Sequence, residues 1–371
     1  MKILQFLKYF DWRLFIPLFL LISIGVVVIY SATWEEGGAN LAKIKVQMIA
    51  AGIGFFLLIG LSLIDYRFLK NYRFIVYILM LLLLIAVLFW GSTIRGSRSW
   101  FSLGPFRFQP SEMAKIFLII TLASFFADHQ EHISRFKVIL ISGFLTALPV
   151  GLIILEHDLG AAVILLVVWV GMLIVAGLKL KHILITLSVF ILVGLVAWLF
   201  LLVPYQKSRI VAFFNPHADP LGVNYNLIQS IIAVGSGGIW GKGLGHGSQS
   251  QLKFLPEAHT DFIFAVTAEE FGFLGGFVVL VLFALLILRI LKVSRLSLDK
   301  FGVFLASGVA ILILTQVMIN IGMNIGLVPV AGIALPLISY GGSALISFLI
   351  SLGLIESIHI NYRKVSFGRE K

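Results

Sequence analysis

The chain has 371 residues, 60% of them hydrophobic and 12% charged, with a formal net charge of +11 and a mean hydropathy of +1.07. A soluble domain carries about twice that charged fraction, so composition excludes a freely soluble globular protein. The absence of cysteine excludes disulfides and thiolate metal sites, and any order outside the apolar stretches must come from packing.

Apolar runs long enough to cross a bilayer core of about 30 Å recur along the whole chain. They predict an all-α polytopic membrane protein of about ten spans. The first six lie near Leu14–Ser31, Val46–Ile64, Phe74–Trp90, Pro110–Ala127, Val138–Leu155 and Leu159–Leu178. The last four lie near His182–Val203, Phe262–Leu288, Phe301–Ile321 and Leu335–Ile358, and the eighth is long enough to begin outside the membrane. The first run follows Lys2, Lys8 and Arg13 like a signal sequence. It is long for one and lacks a small-x-small cleavage site, so it reads as an uncleaved span. With the N-terminus inside, the inner segments carry 18 basic residues and the outer ones 9. Both termini are therefore expected in the cytoplasm, and the net charge is an inner girdle that needs no nucleic acid to explain it.

The polar outliers then fall on the outer side. The segment from Gly91 to Arg107 places Arg95, Arg98, Arg107 and Trp100 there. Guanidinium forks suit phosphate oxygens and a tryptophan suits a sugar face; an interfacial aromatic belt with headgroup contacts explains the same residues. Glu112 and Lys115 follow at the start of the fourth span, three residues apart and so on one helix face. Each alone would cost roughly 2.5–3.5 kcal/mol at mid-bilayer, less near the interface. They are read as a pair lining a water-filled cavity, against the alternative of a purely structural ion pair. Glu156-His157-Asp158 forms a short outer turn with a supporting role, since three consecutive residues cannot face one point. Asn320, Asn324 and the turn around Ser339 and Ser343 suggest close backbone approach and helix entry.

The most polar region is the large outer loop from Pro204 to Asp261, whose last third gathers glycines, Lys242, Gln251, Lys253, Glu257, His259 and Asp261. Such groups are expensive near hydrocarbon, and their concentration points to a working site. Asp261 sits where the loop meets the eighth span, and three roles fit a carboxylate there: general base toward a hydroxyl, ligand of a divalent ion, or helix cap.

At these residues the chain resembles a known family. Phe214–Ser230, Gly235–Asp261 and Gly326–Ser343, the last containing Ser339-Tyr-Gly-Gly-Ser343, are similar to the SEDS proteins of bacterial shape, elongation, division and sporulation. Pro329-Val-Ala-Gly332 stands where division (FtsW-like) members usually carry Pro-Thr-Lys-Gly, so the resemblance is to the elongation (RodA-like) branch; it covers essentially the whole chain as one domain, residues 1–371. Ala344 replaces a serine often seen after the Tyr-Gly-Gly-Ser motif. The resemblance implies a peptidoglycan glycosyltransferase of the bacterial inner membrane. Its substrate would be lipid II, a disaccharide-pentapeptide on undecaprenyl diphosphate, polymerised on the outer face for elongation and rod shape.

The family's essential loop aspartate falls on Asp261, and its fourth-span glutamate and lysine on Glu112 and Lys115. Asp261 would deprotonate the acceptor hydroxyl as it attacks the anomeric carbon, inverting it. Arg95, Arg98, Trp100, Arg209, Lys242, Gln251, His259, Ser339 and Ser343 complete the expected substrate-binding set. No protein metal site is expected, although a divalent cation could ride on the lipid diphosphate. The resemblance also implies partners: a class B penicillin-binding protein transpeptidase, other elongation-complex membrane proteins and membrane lipids. The transpeptidase helix is expected against the eighth and ninth spans near Phe283, Leu286 and Val303. Two rival readings are a lipid II flippase and a non-catalytic scaffold. Outer clustering of charge counts against the first, and an intramembrane Glu112–Lys115 pair against the second.

Overall fold

In the computed structural model, residues 8–368 are described except 36–37, 40, 95, 105, 180, 183, 186–187, 189–193, 196–197, 200–203, 216–221 and 223. Among the described residues eight helices are long and apolar enough to span a membrane, and a ninth apolar helix is shorter. In chain order the first helices are α1 (Trp12–Ala32), α2 (Leu41–Leu63) and α3 (Arg73–Trp90). Three short strands follow, β1 (Ser92–Ile94), β2 (Ser97–Leu103) and β3 (Phe106–Phe108), forming an antiparallel meander between α3 and α4. Then come α4 (Pro110–Asp128), α5 (Phe136–Leu155) and the 17-residue α6 (Leu159–Val175). The expected seventh span, His182–Val203, lies mostly outside the described residues. The outer loop is not loop throughout, since it contains α7 (Pro204–Phe214) and α8 (Tyr225–Ser236). The chain ends with α9 (Ile263–Leu296), α10 (Lys300–Asn324) and α11 (Gly342–Gly368). The last span therefore begins at Gly342 and not at Leu335. Residues 326–341 form an irregular crossing between α10 and α11, where Pro329, Pro336 and the left-handed Gly332 cannot continue a helix.

Helix starts follow local chemistry. Asp11, Asp158 and Asp299 each cap a helix by accepting a backbone N–H, from Arg13, Ala161 and Gly302 respectively. Pro110 opens α4, where its missing N–H costs nothing. Without a hydrophobic force between helices in lipid, association rests on small residues that let backbones touch. A Cβ on Gly353 of α11 would lie 2.8 Å from the Leu58 backbone of α2, and one on Gly25 of α1 would lie 2.6 Å from the Ile338 carbonyl. Apolar side chains also cover the outside: Phe56 is 77% exposed, as suits a surface solvated by lipid tails. At the inner ends, Asp11 accepts Arg289 Nε at 2.5 Å and its N–H donates to the buried Glu356 at 2.8 Å, fastening α1, α9 and α11 together.

The glycine-rich run finds its explanation in α9, which is broken at Gly272 (φ 68°, ψ −164°). A break strands N–H and C=O groups at membrane depth, where water cannot satisfy them. The loop supplies the partners. Phe273 and Leu274 donate to the carbonyls of Gly238 and Ile239 at 2.8 and 3.2 Å, while Lys242 and Gly243 donate to the carbonyls of Glu269 and Glu270 at 3.0 and 2.9 Å. So close a contact excludes side chains: a Cβ on Gly237 would lie 1.9 Å from the Ala268 oxygen, and one on Gly272 2.3 Å from the Gly241 nitrogen. Gly272→Ala, facing both the clash and a left-handed φ, should destabilise the solubilised protein by about 3 kcal/mol or more. Gly235→Ala should be near neutral, because nothing lies within 4 Å of its added Cβ. Thermal unfolding followed by size-exclusion fluorescence compares them, and equal stability would contradict the clasp.

Candidate active site

Asp261 lies on the last turn before α9, and its main chain is held from α10. Asn320 and Asn324, four residues apart and fully buried, donate from Nδ2 to the Asp261 carbonyl at 2.9 and 3.1 Å. Asn320 Nδ2 also donates to the Ile333 carbonyl at 2.7 Å, so the crossing and the loop end share one anchor. The partly exposed Asp261 carboxylate is directed to Gly332. A Cβ there would be 3.7 Å from both Asp261 Oδ2 and Arg209 Nη1. A carboxylate from the loop end and a guanidinium from α7 thus both approach the same stretch of backbone, which carries no side chain there. Arg209 also donates to the Val330 carbonyl at 3.4 Å.

The other face of the same crossing touches a second charged group. A Cβ on Gly160 would lie 2.6 Å from the Ala331 carbonyl and 2.9 Å from Ile333 Cγ1. Gly160 follows Asp158, whose Oδ2 accepts Gln109 Nε2 at 3.0 Å and Ser111 Oγ at 3.4 Å from the start of α4. One turn further, Lys115 Nζ donates to Glu112 Oε1 at 2.7 Å with side-chain exposures of 2% and 12%. Lys115 favours the charged form of Asp158, though burial still raises the Asp158 carboxyl overall. Asp158 is thus held at the start of the helix that carries the Glu112–Lys115 pair, a placement the short Glu-His-Asp turn does not disclose in the sequence.

Glu156 is fully buried beneath the strands, and neither carboxylate oxygen has a protein partner. Its backbone carbonyl accepts Ser97 Oγ and the Arg98 N–H at 2.7 and 3.2 Å. Burial, then the charge of Asp158, raises the Glu156 carboxyl to about 8. A raised carboxyl means the folded state holds the proton longer. This contribution to stability is full below the unfolded value of about 4.3 and is lost as pH rises toward 8. Glu156→Gln should therefore flatten the decline of Tm between pH 5 and 8; an unchanged slope would show that Glu156 is not its source.

The remaining expected residues are placed as follows. Arg98 donates from Nε to the Gly91 carbonyl at 2.9 Å and from Nη2 to the Phe89 carbonyl at 2.6 Å, capping α3. Trp100 is partly buried on β2, and Arg95 lies outside the described residues. Lys242 bonds Glu269 Oε1 at 2.9 Å and Ser248 Oγ at 2.8 Å. Gln251 reaches the Ser31 carbonyl at 3.0 Å, tying the loop to the outer end of α1. Ser339 donates to the Thr260 carbonyl at 2.6 Å, and its neighbour Tyr340 donates to the His259 carbonyl at 2.9 Å and packs on the His259 ring. Ser343 joins Arg107 and Gln109 at the entry to α11. Around Asp261 these residues build the frame, and Arg209 shares the approach to Gly332 with its carboxylate. Phe283 and Leu286 are buried inside the bundle, which corrects the expected partner face; the exposed side of α9 carries Leu285 and Leu288.

Glu269 and Glu270 were not anticipated in any role, although two carboxylates inside an apolar span are themselves a signal. Glu269 accepts Lys242, Ser248, the Gln249 N–H and the Ser250 N–H, and Glu270 accepts Ser31 and the Gly245 N–H. Among the described residues no group of three or more His, Asp or Glu side chains is arranged to hold a metal ion. A recess of about 540 Å³ lies where α2 ends and α10 begins, away from Asp261; among its lining charges Arg67 pairs with Asp299 at 3.0 Å, and Lys70 pairs with Asp128 at 2.9 Å.

A multi-pass helical membrane protein with a carboxylate and a guanidinium both near Gly332, and a buried Glu112–Lys115 pair close by, is the class these features define. The profile of the FtsW/RodA/SpoVE family, described as cell cycle protein, matches residues 11–364, and the chain belongs to that family. It is 37% identical over 354 residues to a peptidoglycan glycosyltransferase, MrdB, of Escherichia coli (strain K12), covering 94% of this chain and 95% of that protein. Among solved structures, a chain from work on the structural coordination of polymerization and crosslinking by a peptidoglycan synthase complex matches with a TM-score of 0.80. It is 35% identical, with 95% of this chain and 98% of that one covered. The rod shape determining protein RodA of Thermus thermophilus matches at a TM-score of 0.70 and 30% identity, over 94% and 96% of the two chains.

Proposed function

We propose that this protein is a peptidoglycan glycosyltransferase of cell elongation that polymerises lipid II at the outer face of the bacterial cytoplasmic membrane. The observation that carries the chemistry is that the Asp261 carboxylate and the Arg209 guanidinium both lie close to Gly332. The carboxylate removes the proton of the acceptor sugar hydroxyl as that oxygen attacks the anomeric carbon of the donor, and undecaprenyl diphosphate leaves with the bonding pair. Arg209 is suited to hold the diphosphate oxygens as charge develops on them. Asn320 and Asn324 keep the base in register, and the Glu112–Lys115 pair forms the charged floor beyond the crossing. Any divalent cation is assigned to the substrate diphosphate, and activity surviving EDTA would remove it from the scheme. One displacement inverts the anomeric centre, so lipid II given to the purified protein should yield glycan of inverted linkage. Retained configuration would point to a covalent enzyme intermediate and against a direct base.

The reading requires the Pro204–Asp261 segment outside and both termini inside. In this cysteine-free chain, Ser248→Cys should react with an impermeant thiol reagent on intact spheroplasts; labelling only after lysis would overturn that orientation. A class B penicillin-binding protein is the proposed partner, with its transmembrane helix on the exposed face of α10, near Leu314 and Met318. Co-purification lost on charged substitution at these positions supports that location, and unaltered association refutes it. The other elongation-complex membrane proteins enter only as proposed neighbours.

A further inference from the structure

The clasp that repairs the break in α9 fixes the depth of the loop as well as its shape. Carbonyls of Gly238 and Ile239 cap the second half of α9, so the next residue, Trp240, lies at the outer end of that helix. From Phe273 inward this half presents Phe273, Phe277, Val281, Leu285 and Leu288 to the outside, the lipid-facing side of a membrane span. Ile239 and Trp240 are 61% and 79% exposed and continue that apolar surface past the break. Other exposed aromatics stand at the ends of other spans, Trp34 just beyond α1, which packs on α9, and Trp90 at the end of α3, as in an interfacial belt. The residues that follow, Lys242 to Gln249, are mostly exposed and polar.

We propose that the Gly237–Gly241 turn is a membrane-inserted finger, with Ile239 and Trp240 seated among the lipids of the outer leaflet. The occupant is lipid because the finger is hydrogen-bonded to, and continuous with, a lipid-facing helix surface. An indole at the headgroup boundary keeps its ring in apolar contact and its N–H within reach of water or headgroups. The large outer loop is thus tethered to the bilayer at the finger, between α8 and its exposed polar part. The finger is independent of the chemistry assigned to Asp261.

The cysteine-free chain allows a direct measurement. Spin labels are placed at Trp240→Cys, at His246→Cys as the aqueous reference and at Leu285→Cys as the lipid reference, each in purified full-length protein in phosphatidylglycerol–phosphatidylethanolamine liposomes. Collision with oxygen relative to a water-soluble nickel chelate should be severalfold higher at position 240 than at 246, approaching the value at 285. A ratio equal to that at 246 would place the finger in water. Low collision with both reagents would mean that protein, such as a second copy of the chain, covers it. Either result overturns the proposal. Should the labelled variant fold poorly, quenching of native tryptophan fluorescence by lipids brominated near the headgroup gives an independent reading. Trp240→Phe should remove a quenchable component, and unchanged quenching would count equally against the finger.

Discussion

Asp261→Asn is expected to lower lipid II polymerisation by the roughly 10²–10⁴-fold typical of losing a general base, with folding, membrane insertion and partner binding retained. The asparagine keeps the side chain's size and can still lie beside Gly332. What it removes is the proton acceptor and the negative charge. The Asp261 main chain would be unaffected, because Asn320 and Asn324 bind its carbonyl and not its carboxylate. Thermal unfolding should therefore stay near wild type while initial rates on labelled lipid II collapse. A rate within a few-fold of wild type would return Asp261 to a cap or a structural residue.

The second large effect falls on Lys115. Its ammonium is almost wholly buried against Glu112, whose other oxygen has no protein partner. Lys115→Met would leave a buried carboxylate uncompensated, a defect that costs about 3–5 kcal/mol when one member of a buried pair is removed. Activity should fall by on the order of 10²-fold or more as the charge opposite the developing anion is lost. The pair Lys115→Met with Glu112→Gln separates the two consequences, since it removes both charges together. Stability should largely return and activity should not. Recovery of both would make the pair purely structural.

The spans were legible because hydrocarbon imposes length and apolarity on every helix that crosses it, and the recurring runs leave little choice. Where a run did not mark a helix, as over Leu335–Ser343, prolines and glycines were the missed evidence: an apolar segment can also run as irregular backbone wedged between helices. Asp261, Glu112 and Lys115 stood out as charges beside apolar sequence. Arg209 stood out less, because its relation to Asp261 depends on α7 folding back over Gly332. The glycine-rich run gathers polar groups as a site would, and part of it serves the break in α9. Lys242 and Ser248 answer Glu269, while the glycines permit backbone contact. A run of glycines announces close approach without naming what approaches. The partner-facing guess failed for a related reason, since α9 is apolar on both its buried and lipid-facing sides and composition does not tell Phe283 from Leu285.

The most direct test of the central claim is made on one preparation of the purified wild-type protein, divided between two assays of labelled lipid II. In detergent, where movement across a bilayer has no meaning, glycan chains should form from lipid II alone and should be absent for Asp261→Asn. In sealed liposomes the same protein should not speed passage of lipid II between leaflets. Transport without polymer would contradict the account and put a flippase in place of the glycosyltransferase.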